Sequence, residues 1–128
     1  MKRAPLALFA LVCLTACKPD GGGPSATELA DPDQGKAVIV AAQCGACHQI
    51  PGIVGADGRV GPPLDGFGDR TIIAGLLPNT PANLVRWLRN AQAIKPGDAM
   101  PDTGLSKQQA SDVGAYLESL CQSRCTGL

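Results

Sequence analysis

The sequence predicts an all-α domain: three main helices with long Gly- and Pro-rich loops between them. Three observations point there. Three separate helix-start signals are spread along the chain. No run of alternating apolar and polar residues competes as a strand. The 16 glycines and 11 prolines leave much of the remainder as loop. With 128 residues the chain has room for one domain.

Residues 1–16 read as a targeting segment rather than as part of the fold. Lys2 and Arg3 give a positive start, and Ala4 to Ala16 form an apolar stretch. That stretch is well short of the ~20 residues a membrane-spanning helix needs. Leu14-Thr15-Ala16-Cys17 resembles a bacterial lipobox, in which Cys17 is acylated and becomes the mature N-terminus. An ordinary signal peptide cut near Ala16 is the competing reading. Residues 17–30 then serve as lipid anchor and tether, with Gly21-Gly22-Gly23-Pro24-Ser25 at its centre. As a coil the tether spans about 20 Å. The folded domain is expected over residues 31–128.

The first helix has Asp31 as its cap and Pro32 at its first position, where no N–H is needed. It is expected to run to about Gln43. Thr80-Pro81 repeats that arrangement ahead of Leu84, Trp87, Leu88 and Ala91, spaced along one face. Ser106 to Gln109 make a capping box before Ala110, Val113, Leu117 and Leu120, again one face.

The chemistry sits at the end of the first helix. Cys44-Gly45-Ala46-Cys47-His48 is a C-x-x-C-H run, the attachment sequence of a c-type haem. Two thiols at this spacing can each form a thioether with one vinyl group, and the following imidazole can then bind iron. Half of a Cys/His zinc site, or a chance match, is the alternative. Composition favours the haem. Phe, Trp and Tyr total four residues, and Phe9 belongs to the leader, so the domain has little bulk for a core of its own. A buried porphyrin would supply it.

His48 is the only histidine, which excludes a second imidazole ligand from this chain. Once Met1 is lost with the leader, Met100 is the sole methionine. Its thioether is a soft neutral ligand that raises the potential relative to a second imidazole. Pro96 and Pro101 stiffen the loop that carries it. Of the other cysteines, Cys13 leaves with the leader, while Cys121 and Cys125 remain. In an exported chain two leftover thiols usually pair, so a disulfide between them is expected, with a metal-binding or redox-reactive pair as the alternative.

In these motifs the chain resembles the small monohaem class I cytochromes c over about residues 33–120. Gly61-Pro62-Pro63-Leu64 looks like the family's Gly-Pro-x-Leu turn. The resemblance implies a cytochrome c-like fold around one covalent haem c. It implies that the Pro62 carbonyl accepts a hydrogen bond from His48 and that Leu64 packs on the proximal face. It places Arg70 near a buried propionate, where an exposed cation beside Asp69 is the other reading. Trp87 matches an aromatic position lining the distal pocket. Gly35 and Val40, with Val113 and Tyr116, match the family's crossing of terminal helices.

The expected function is that of a single-electron carrier, not an enzyme, shuttling between membrane respiratory complexes. Alternatives are a redox subunit fixed in one oxidase or dehydrogenase complex, and a haem-based sensor or enzyme in which Met100 dissociates. Without a second histidine, a peroxidase is weakly supported. The expected setting is an exported bacterial lipoprotein, held at the membrane and facing the periplasm or the outer face of the cell membrane. The expected partners are redox proteins, and the chain is expected to be a monomer. Removing Lys2 and Arg3 leaves 9 basic against 11 acidic residues, which gives no basic field for nucleic acid.

Overall fold

The computed structural model describes residues 30–122. The leader, Cys17 and Cys125 lie outside the described residues. Four α-helices, two 3₁₀ turns and one minimal hairpin follow in chain order. Three of the helices are long and sit at the predicted start signals, and apart from the hairpin the regular structure is helical, as expected.

Helix α1 spans Pro32–Ala41, and the Asp31 carboxylate caps it by accepting from the N–H groups of Asp33 and Gln34. It ends earlier than its sequence suggests. Gln43 takes a left-handed conformation (φ 55°) that turns the chain out of the helix. The cysteine pair therefore opens a separate 3₁₀ turn, Cys44–Ala46. A second 3₁₀ turn covers Phe67–Asp69.

Strands β1 (Ile72–Ile73) and β2 (Leu77–Pro78) pair antiparallel around Ala74 and Gly75, both at positive φ. Two residues per strand are too few to display a two-residue period, so this ladder left no pattern in the sequence.

Helix α2 covers Pro81–Arg89, with the Thr80 hydroxyl accepting from the Asn83 N–H. The apolar stripe of this helix was expected to include Ala91, but the chain breaks at Asn90 (φ −140°) and restarts as the short helix α3, Ala91–Ile94. Asp102 offers the restart a substitute cap, its carboxylate accepting from the Gln92 N–H at 3.0 Å. Helix α4 (Lys107–Ser119) begins with the complete capping box of Ser106 and Gln109.

The two terminal helices cross at Gly35. A Cβ there would stand 2.0 Å from the Asp112 carbonyl oxygen, so only glycine permits this approach. The residue that packs one turn later is Ile39 (1% exposed), not Val40, which is 58% exposed. The reason is helical spacing: Ile39 stands four residues from Gly35 and shares its face, whereas Val40 is rotated away. The Asp112 carboxylate, itself buried, accepts from the Asp31 N–H and the Gln108 amide, tying the start of α1 to α4. Ile39, Leu84, Trp87, Leu88, Val113 and Leu117 form the centre of the core. Among the described residues, no helix is long and apolar enough to cross a membrane.

Candidate haem site

A cavity of about 620 Å³ opens beside this core. Cofactor sites commonly enclose ~300–1,000 Å³ with mostly apolar walls and a few polar groups, and this one fits that description. Cys44, Cys47, His48, Pro62, Leu64, Arg70, Trp87 and Met100 all line it. Residues spread over more than fifty positions of sequence thus meet around one space.

The cysteine turn forms one wall. The N–H groups of Cys47 and His48 both donate to the Cys44 carbonyl, coiling the motif so that both thiols and the imidazole reach the cavity. Two backbone bonds fasten the turn from outside, Gly58 N–H to the Gly45 carbonyl and Gly61 N–H to the Cys47 carbonyl. Both donors need to be glycine. A Cβ on Gly58 would stand 2.5 Å from the Ala46 backbone, and one on Gly61 would stand 2.3 Å from the imidazole Cε1 of His48. Cys44 and Cys47 are free thiols, and burial pushes the Cys44 thiol above its ordinary pKa.

His48 Nδ1 lies 2.8 Å from the Pro62 carbonyl oxygen. A carbonyl can only accept, so Nδ1 carries the proton and the Nε2 lone pair is left for a metal. Leu64 is half-buried and anchored by its N–H to the Gln49 carbonyl. The Arg70 guanidinium donates to the carbonyls of Pro63 and Asp65 and lies over the Phe67 ring, 5.4 Å from its centroid. Those contacts fix its direction more firmly than a free surface cation would allow. Trp87 is 7% exposed, serving both the core and the cavity wall.

Met100 closes the set from the loop after α3. Its N–H donates to the Asp98 carboxylate at 3.0 Å, and its carbonyl accepts from the Gln92 amide at 2.6 Å. Lys95 pairs with Asp98 at 2.8 Å. That lysine, with the bond from the Met100 N–H, holds the Asp98 carboxyl below its ordinary pKa.

Two thiols, an imidazole with Nε2 unengaged, a thioether and apolar walls make a donor set suited to a covalent haem. The zinc alternative lacks further ligands: among the described residues, no group of three or more His, Cys, Asp or Glu is gathered to hold a metal ion. Cys121 is disulfide-bonded, and neither Cys44 nor Cys47 is its partner. The expected pairing with Cys125 lies outside the described residues. Sequence reading passed over Gln92, Phe67 and Gly58, because none belongs to a local motif and each acts through a contact made only in the fold.

Comparison with known proteins matches residues 32–121 to the family model described as Cytochrome c. Subunit 2 of cytochrome c oxidase from Alkalihalophilus pseudofirmus is 37% identical over 89 residues, covering 69% of this chain and 25% of that protein. The same subunit from a Bacillus species is 38% identical over 81 residues, covering 60% of this chain and 23% of its own length. The Bacillus subtilis subunit is 33% identical over 91 residues, covering 68% and 26%. The chain thus spans about a quarter of the length of the curated relatives it matches.

Proposed function

The chain belongs to the cytochrome c family, with haem c bound covalently through Cys44 and Cys47, and from that premise we propose that it is a single-electron carrier exchanging electrons with a membrane respiratory complex. When bound, the haem supplies an iron that takes up and releases one electron. The residues determine how that iron is held. The Pro62 carbonyl fixes the His48 tautomer and ring plane, so Nε2 is the atom that would hold the iron on this side of the cavity. The Met100 sulfur, on the same cavity, would be the second protein ligand and would compete with any substrate or gas for the iron. Trp87, Leu88 and Leu64 keep water from the cavity walls, and Arg70 provides a charge to offset a buried carboxylate.

The observation that carries this reading is the presence of His48 and Met100 on one cavity, with both backbone segments fastened by hydrogen bonds. An iron held by both residues would be closed to an incoming substrate, which favours electron transfer over catalysis. The N-terminal segment supports an exported, lipid-anchored protein held at the membrane through Cys17.

Ferric and ferrous absorption spectra of the matured protein test this. A c-type ferrous spectrum and the weak long-wavelength ferric band of a Met–iron bond are expected. High-spin ferric features with ready carbon monoxide binding would instead favour a sensor or enzyme with a labile Met100.

Similarity to a segment of oxidase subunit 2 favours a second reading, in which the chain is a fixed component of an oxidase. Mild detergent extraction of the full chain from its own membranes separates the two. A shuttle is recovered apart from any oxidase, and a subunit co-purifies with one.

A further inference from the structure

Gln92 places its single side chain against three backbone groups of the loop that carries Met100. Its Nε2 donates to the carbonyls of Asp98 (2.8 Å) and Met100 (2.6 Å), and its Oε1 accepts from the Gly97 N–H (3.1 Å). The partners fix the amide orientation. Flipping it would set two carbonyls against an oxygen and one N–H against an NH₂ group.

The residue's own N–H is taken by the Asp102 carboxylate at 3.0 Å, beyond Met100. Gln92 therefore bonds to both sides of Met100, from Gly97 to Asp102. The remaining polar group of Met100, its N–H, is held by Asp98. Neither backbone group of Met100 is satisfied by regular secondary structure; both are held by side chains, those of Asp98 and Gln92. Lys95 is exposed, and an ion pair open to solvent on one side in this way contributes little. The Gln92 amide, half-buried like Asp98 but bonded to the loop three times, is the stronger constraint.

From this geometry we infer that Gln92 is the positioning residue for the Met100 sulfur: it holds the loop against the cavity and thereby sets how readily the thioether gives way to a competing ligand. The inference rests on the reading of Met100 as a ligand. Gln92 itself does not line the cavity, and acts on the iron only through Met100.

The test is imidazole titration of the ferric holoprotein, read by absorbance, in wild type, Gln92→Ala, Gln92→Glu, Met100→Ala and Ala93→Ser. Losing three hydrogen bonds to the loop should tighten imidazole binding at least about tenfold in Gln92→Ala. The ferric Met–iron band should weaken in parallel. Gln92→Glu keeps an acceptor for Gly97 but turns a carboxylate toward two carbonyls, so it should behave at least as severely. Ala93→Ser, on the exposed side of the same short helix, should match wild type. Wild-type imidazole affinity in both Gln92 variants, with the band intact, overturns the role of Gln92 and leaves Met100 as ligand. A wild type that lacks the band and binds imidazole as tightly as Met100→Ala overturns both.

Discussion

Gly61 and His48 are in contact along the whole edge of the imidazole: a Cβ added to Gly61 would stand 2.3 Å from Cε1, 2.6 Å from Nδ1 and 2.8 Å from Nε2. The glycine that opens the Gly-Pro-Pro-Leu turn thus sets the ring plane by shape, while the next residue's carbonyl sets it by hydrogen bonding.

Gly61→Ala should accordingly displace the ring or the turn. Overpacking of this kind costs about 1–3 kcal/mol. Thermal melting of the holoprotein should show that loss, together with a changed ferric spectrum. An unaltered spectrum and melting temperature would mean that the turn moves aside freely.

The helix crossing gives a sharper contrast. Gly35→Ala forces a methyl group into the Asp112 backbone, and Ile39→Ala empties a buried site at a typical cost of about 2–5 kcal/mol. Val40→Ala removes an exposed side chain and should stay within about 0.5 kcal/mol of wild type. Guanidinium unfolding of the three variants checks the register directly, since a crossing through Val40 would reverse the last two results.

Tyr116 is the only tyrosine, and its hydroxyl donates to the Pro51 carbonyl at 2.6 Å. Burial pushes its phenol above the ordinary tyrosine value. A pKa raised by folding gives stability that is complete below the unfolded value of ~10 and is lost as pH rises through the folded value. Tyr116→Phe should cost about 1 kcal/mol near neutrality through the lost hydrogen bond. Melting curves from pH 8 to 11 should then show the wild type declining more steeply, so that the gap narrows. A constant gap would assign no titration to this phenol.

Met100→Ala removes the proposed second ligand without touching the cysteine turn. The covalent haem should remain while ferrous carbon monoxide binding becomes rapid and tight. Unchanged carbon monoxide affinity would remove Met100 from the iron.

What the sequence made legible was local chemistry. Asp31, Thr80 and Ser106 cap within three residues of themselves, so the starts of the three long helices could be read directly. The cysteine motif and the Pro62 turn are likewise short words. The break at Asn90 was hidden because Asp102, twelve residues on, caps the restart. The hairpin was too short to carry a pattern. Ile39 and Val40 are both apolar, and only the approach of α4 at Gly35 decides which is buried. Gln92 was illegible for the same reason, since its partners are backbone groups that meet it only when the loop folds back.

The clasp between α1 and α4 also has a bearing on timing. The Asp31–Asp112 bond closes a loop of 81 residues, and the length-dependent part of that entropy cost is about 4 kcal/mol. A chain growing from its N-terminus cannot make this closure until α4 exists. Val113 and Leu117 of that helix are also part of the cavity lining, so until then the enclosure is unroofed. Both thiols and the imidazole precede that lid by some sixty residues, so a bulky planar group can reach and bond to them for as long as the closure is unmade.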